Sequence, residues 1–79
     1  MPHGIKERRW AEIAWAFAHG GYVSVYEADA FLLLERGTCK QAALDGQIPF
    51  RARPRGRYTR YIVKAADAER LFGTRRRTA

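Results

Sequence analysis

A dense run of arginines in the second half of the chain is the feature best suited to bind a charged ligand. Residues 51–60 read RARPRGRYTR. Arginine guanidinium groups keep their positive charge and donate paired hydrogen bonds that match phosphate oxygens. Pro54 and Gly56 lie in the middle of the run, where a turn favours them. The run therefore predicts a basic β-hairpin that binds a polyanion such as nucleic acid.

Gly56 marks the predicted tip of the hairpin, and Arg55 and Arg57 bracket it. Their side chains suit phosphates and the narrow, electronegative minor groove of A-tracts, so we expect them to contact DNA. Tyr58 and Tyr61 are expected to pack within the fold rather than to stack on bases. The other arginines of the run lie on the predicted strands and would contact phosphate oxygens: Arg51, Arg53 and Arg60.

Positive charge is concentrated in the second half of the chain. The 79 residues carry a formal net charge of +7. Residues 46–79 hold ten lysines and arginines against two acidic residues, whereas residues 1–45 have one more acidic than basic residue. A surface that serves only solubility usually mixes both signs. The asymmetry therefore favours a polyanion bound by the second half.

The sequence gives little support for enzymatic or metal chemistry. His3 and His19 have no cysteine or carboxylate at ligand spacing, so no metal or cofactor is predicted. Cys39 is interpreted as a small inner residue of a helix rather than as a nucleophile. As the single cysteine it can form no internal disulfide, so a reducing cytoplasm is the expected location. No segment has the apolar length to span a membrane, and the start does not resemble a signal peptide.

The elements that would position the arginines are predicted within one domain, residues 1–79. A first helix over residues 5–19 has an apolar stripe that includes Trp10 and Phe17. Trp15 lies off this stripe. Two interpretations stay open for Trp15: packing in the core, or contact with a partner.

Ser24 and Glu27 have the spacing of a capping box, which predicts a second helix over about residues 25–33 after a short extended segment. A third helix is predicted over about residues 37–45, ended by an Asp-Gly pair.

The hairpin strands are predicted at about residues 49–53 and 57–63, since the second of these is rich in β-formers. A last short helix over residues 65–72 is expected to stop at Gly73, leaving residues 73–79 as a solvated basic tail. The predicted fold class is α+β, mostly α.

Residues 22–72 resemble the excisionase-type winged helix-turn-helix domain, which is related to the DNA-binding heads of the mercury-regulator (MerR) group. The resemblance implies a winged helix-turn-helix fold with a short two-stranded basic wing, to which this chain adds an N-terminal helix. It lies in the order and spacing of Val25-Tyr26-Glu27-Ala28, Thr38, Gly46-Gln47-Ile48-Pro49, the arginine run, Tyr61-Ile62-Val63 and Asp67.

The resemblance implies double-stranded DNA as the partner, with the third helix in the major groove, where base edges differ. Arg36 could then read guanine and Gln41 adenine, or these could be solvated helix residues. Excisionases bend DNA and direct a phage-type recombinase toward excision. The implied role is thus an excisionase or a small regulator, in a bacterial or phage-infected cell, with a recombinase or further copies of the chain as partners. The outward positions of the third helix are Arg36, Thr38, Lys40 and Gln41.

Three positions depart from the family pattern. Asp29 replaces a usual alanine, Leu33 a usual turn glycine, and Glu35 a frequent serine. The lost turn glycine at position 33, the nearly neutral third helix and the added tryptophan helix favour an alternative function. In it, the same scaffold is a phage-encoded inhibitor that binds a host nucleic-acid-guided defence complex, with Trp15 on the contact surface.

Overall fold

The computed structural model describes residues 5–78, with side chains for residues 5–73. Its described elements lie in one compact α+β fold, and about half of the residues are helical. The helices and strands are, in chain order, α1 (Glu7–His19), β1 (Tyr22–Ser24), α2 (Val25–Phe31), α3 (Thr38–Leu44), β2 (Arg51–Arg55), β3 (Tyr58–Lys64) and α4 (Ala65–Thr78).

The strands form an antiparallel sheet in the order β1-β3-β2. The segment predicted only as extended, residues 22–24, is a strand that pairs Tyr22 with Lys64 and Ser24 with Ile62. A three-residue strand carries no periodicity of its own, and its partner lies some forty residues later in the chain. The sequence therefore predicted a two-stranded hairpin where the structure has a three-stranded sheet.

The added N-terminal helix is part of the core. Ile13 and Ala16 on α1 are buried. Phe17 stacks on Phe31 of α2 at a centroid distance of 4.2 Å, and Trp10 contacts the same ring at 5.8 Å. These contacts fix α1 against the helix pair α2–α3. The rest of the buried apolar set comes from the sheet, the other helices and the segments between or before these elements: Ile5, Val23, Ala28, Leu32, Cys39, Ala42, Ala43, Ile48, Val63, Ala65, Ala68 and Phe72.

The turn between α2 and α3 contains a strained residue. Leu33 has φ 58°, a left-handed conformation that favours glycine, and its side chain is 79% exposed. Because the chain turns here, α2 ends at Phe31 rather than near residue 33 as predicted.

The predicted end of the last helix is wrong. Glycine ends a helix by adopting a positive φ, and Gly73 is not among the glycines of the described chain that do so. Helix α4 continues through Gly73 to Thr78, so the predicted boundary between helix and tail does not exist. The side chains of Arg75, Arg76 and Arg77 lie outside the described part, and their predicted attraction to DNA stays a prediction.

Candidate nucleic-acid interface

The basic hairpin, defined as β2, β3 and the turn between them, presents most of its arginines to solvent. Arg51, Arg53, Arg55 and Arg57 are all exposed. Gly56 has φ 63° at the tip, as the Pro-x-Gly pattern predicted. Strand β2 is shifted two residues toward the tip, from the predicted residues 49–53 to Arg51–Arg55, and keeps its predicted length.

Strand alternation gathers the arginines on one side of the sheet. Arg51, Arg53 and Arg55 are spaced by two, so their side chains point to the same face. Arg60 lies opposite Arg53 in the register, and it therefore shares that face. We call this side the outer sheet face, because the buried Val23 and Val63 lie on the other side.

Arg60 is not a free cation. Its side chain is 33% exposed, and Nη2 lies 3.7 Å from Oε2 of Glu27 on α2. From its position in the arginine run, Arg60 was predicted to contact phosphate oxygens in the same way as Arg51 and Arg53. The structure instead gives it a second role, because it links the hairpin to the first turn of α2.

Glu27 joins three elements through one carboxylate. Its side chain accepts a hydrogen bond from the Ser24 backbone N–H (2.9 Å), and Ser24 Oγ accepts one from the Glu27 N–H (3.2 Å), which confirms the predicted capping box. Arg9 on α1 donates to the same carboxylate, with Nη2 2.6 Å from Oε1. Arg9 could not be singled out from the sequence, because its partner lies 18 residues away on another helix.

These donors outweigh the effect of burial on Glu27. Burial by itself raises the pKa of the Glu27 carboxyl group. The hydrogen bonds from Arg9 and the Ser24 N–H, with the charges of Arg9 and Arg60, lower the pKa by more than burial raises it. The pKa of Glu27 therefore lies below its ordinary value. Glu27 is therefore ionised at neutral pH and neutralises part of the arginine charge beside it.

Asp29 positions the start of α3. The N-cap residue of α3, Gly37, has no side chain to cap the helix. Asp29 supplies the cap from α2: its two carboxylate oxygens accept from the backbone N–H groups of Gly37 and Cys39, each at 2.8 Å. The departure from the family alanine thus has a structural reason. Burial, with the hydrogen bond and charge of Asp29, raises the pKa of the Cys39 thiol, which agrees with an inert inner residue.

The predicted contact residues of α3 are partly engaged within the protein. Arg36 lies over the ring of Tyr26 at 4.8 Å, and Lys40 over that of Tyr61 at 5.4 Å, so both remain exposed but are oriented. Gln41 Nε2 donates to Oδ1 of Asp45 at 2.9 Å. This bond orients the amide and uses one of the two N–H donors of Nε2, which leaves the other donor and Oε1 for a ligand.

Thr38 is turned toward its own chain. Its Oγ1 donates to the carbonyl oxygen of Glu35 at 2.7 Å, which closes the turn that leads into α3. Among the outward positions predicted for the helix, Thr38 is therefore the one used to shape the turn.

A groove runs between α3 and the hairpin, with a volume of about 500 Å³. Basic side chains lie on both walls: Arg36 and Lys40 on the helix side, and Arg55 and Arg60 on the hairpin side. The acidic residues that also line it, Glu27 and Asp29, have their carboxylates committed to the inward hydrogen bonds described above. The structure thus brings residues of the predicted helix and hairpin together around one basic groove.

Of the predictions made for the two hairpin tyrosines, one is confirmed and one is wrong. Tyr61 packs against Phe50 at a centroid distance of 5.6 Å, as expected. Tyr58 is 64% exposed, so the expectation that it packs is wrong; the alternation of β3 places it on the outer sheet face, beyond the core. Trp15 is 60% exposed and contacts His19 at 4.8 Å, so the open choice for Trp15 falls against the core.

Among the described residues, no group of three or more histidine, cysteine or acidic side chains could hold a metal ion. His3 lies outside the described part. Over the same described range, no helix combines the length and apolar character needed to cross a bilayer. Comparison with protein-family models, with curated proteins and with solved structures finds no match for this chain.

Proposed function

We propose that this protein binds double-stranded DNA with α3 and the basic hairpin, in the manner of a winged helix-turn-helix domain. The observation that carries the proposal is the groove with basic side chains on both walls, beside a hairpin whose tip arginines are exposed. Phosphate contacts from such arginines supply most of the affinity for a duplex. The element order and the sheet order β1-β3-β2 are consistent with this type of domain.

In this function, α3 lies in the major groove and the hairpin tip lies over an adjacent phosphate backbone or minor groove. Arg36 and Lys40 are held by tyrosine rings at the edge of the groove, where both reach outward. Because Gln41 is paired with Asp45, we infer that α3 positions the protein more than it reads bases. DNA shape then contributes much of the site preference.

The finer role follows from the family resemblance. An excisionase or a small regulator would act in the cytoplasm on short adjacent DNA sites, with a recombinase or neighbouring copies of the chain beside it. The hairpin charge suits this role, because nonspecific attraction to DNA brings a small protein quickly to its sites.

The test is a fluorescence anisotropy titration of a DNA duplex at low and at physiological salt. Arg55→Ala with Arg57→Ala should weaken binding by more than about tenfold and reduce the salt slope by about one to two, at roughly 0.9 per phosphate contact. The control is Lys6→Ala with Arg8→Ala, which removes the same charge from two exposed positions, the N-cap and the first turn of α1. Equal losses in both variants would mean that only net charge matters. An unchanged hairpin variant would remove the hairpin from the interface.

A second candidate is supported by one exposed ring. Trp15 is 60% exposed on α1, and tryptophan is enriched in the contact centres of protein–protein interfaces. The chain would then be an inhibitor that binds a host nucleic-acid-guided defence complex. Normal DNA binding by Trp15→Ala, combined with loss of activity in cells, would favour this function over the first.

A further inference from the structure

The outer sheet face carries aromatic rings as well as arginines. Tyr22 on β1 pairs with Lys64, and Tyr58 lies six residues before Lys64 on β3. Since side chains alternate along a strand, both rings point to the outer sheet face. Six residues of a strand span about 20 Å, so the rings lie near opposite ends of the face.

The arginines lie between the two rings. Arg51 follows Tyr22, with its guanidinium carbon 6.0 Å from the ring centroid. The cross-strand pair Arg53 and Arg60 comes next, and Arg55 lies opposite Tyr58. From one end to the other, the face therefore carries Tyr22 on β1, then arginines of β2 and β3, then Tyr58 on β3.

This face is concave and basic. A cavity of about 740 Å³ lies over the Tyr22 end of it, lined on the charged side by Arg9, Arg51, Arg53, Arg60 and Glu27, while Tyr58 lies beyond this cavity on the wall of the groove beside α3. Four cations and one carboxylate line the cavity, and that carboxylate is already paired with Arg9 and Arg60. The remaining positive charge, on Arg51 and Arg53 above all, is available to an anion.

The rings themselves are open. Tyr22 is 50% exposed and Tyr58 is 64% exposed. Aromatic side chains spaced along a basic groove are the recurring device by which proteins bind unpaired nucleic acid, since each base stacks on a ring while the backbone follows the cations. The bases of a duplex are stacked inside the helix and cannot use such rings.

We propose that the outer sheet face binds a short segment of single-stranded DNA, with one base on Tyr22, one on Tyr58 and the intervening phosphates on Arg51 and Arg53. DNA is the chosen polymer because the face adjoins the proposed duplex groove: Arg60 lines both cavities. The inference rests on the proposed function to that extent. A strand that leaves a distorted duplex in the groove could pass directly onto this face.

The experiment measures binding of a fluorescein-labelled thymidine oligonucleotide of about twelve nucleotides, within the usual site sizes. Tyr22→Ala with Tyr58→Ala should weaken this binding by roughly tenfold or more, and Tyr22→Ala alone, which lies outside the duplex groove, should change duplex binding by less than about twofold. The matched control, Tyr22→Phe with Tyr58→Phe, keeps both rings and should retain most of the affinity. Thermal melts confirm that each variant is folded before it is compared.

Three results would overturn the proposal: no binding of the oligonucleotide by the unaltered protein, equal binding by the alanine variant, or displacement of the oligonucleotide by poly-glutamate as effectively as by unlabelled DNA. The last result would identify the face as a site for an acidic protein. The two proposals fail separately. A protein that binds the oligonucleotide through these rings but not a duplex would refute only the duplex function, whereas duplex binding alone would refute only this inference.

Discussion

At the strained turn residue Leu33, we expect a glycine variant to be more stable than an alanine variant, which reverses the usual order of stability. In most positions, replacing glycine by alanine stabilises a protein by about 0.4–1 kcal/mol, because alanine has fewer unfolded conformations. At φ 58°, alanine also pays the left-handed penalty of roughly 1–2 kcal/mol that glycine avoids. We therefore expect Leu33→Gly to be more stable than Leu33→Ala by about 0.5–1 kcal/mol.

The side chain itself contributes little to this comparison. Leu33 is 79% exposed, so neither variant loses much apolar burial. For a domain of this size, 1 kcal/mol corresponds to about 4–8 °C in Tm. Urea denaturation and thermal melts of both variants, at the same protein concentration, measure the difference.

A matched control uses the same pair of residues where the backbone is helical. Ala18 is exposed on α1, and Ala18→Gly should cost about 1 kcal/mol. The two sites must therefore show opposite signs. If the alanine variant at position 33 equals or exceeds the glycine variant in stability, the turn is not strained as described, and the argument from φ is refuted.

The remaining predictions concern three other sites. Asp29→Ala should destabilise the protein by about 3 kcal/mol in urea melts, since two N–H groups at the start of α3 lose their acceptors, while Asp29→Asn should cost less. Glu27 has a lowered pKa, so the stability that its carboxylate contributes is fully present above the unfolded pKa of about 4.3 and is lost as the pH falls through the folded pKa. Glu27→Gln should therefore cost about 1–3 kcal/mol of stability at neutral pH, and the variant should lose less stability than the unaltered protein on acidification. Trp10→Ala should cost about 2–4 kcal/mol, because its ring packs on the core, whereas Trp15→Ala should cost less than about 1 kcal/mol; equal losses would contradict the packing described here.

Local signals predicted the elements around the hairpin well. The capping box at Ser24 and Glu27 and the tip at Gly56 each depend on residues within a few positions of one another. The four helices and the two hairpin strands follow from short-range periodicity and match except at their ends, whereas β1 was predicted only as an extended segment. Local pattern is sufficient where the physical cause is local.

Contacts between residues far apart in the chain could not be predicted from the sequence. The pairing of β1 with β3, the bond from Arg9 to Glu27 and the cap that Asp29 provides to α3 all join residues that the chain brings together only on folding. The exposure of Tyr58 was missed for a different reason. Tyrosine is a good β-former, which suggested that Tyr58 packs in the fold, but nothing covers the outer sheet face at that position. The alternation of arginines along β2 was the sequence signal that this face is exposed.

The buried thiol of Cys39 allows local opening of the fold to be measured by thiol labelling. The side chain is fully buried between α2 and α3, it is the single cysteine, and its raised pKa slows reaction with thiol reagents. Modification must therefore wait for the helix pair to open, so the rate of labelling reports how often α3 separates from α2. DNA that binds across α3 and the hairpin would hold these helices closed and slow the labelling, without any dye attached to the protein.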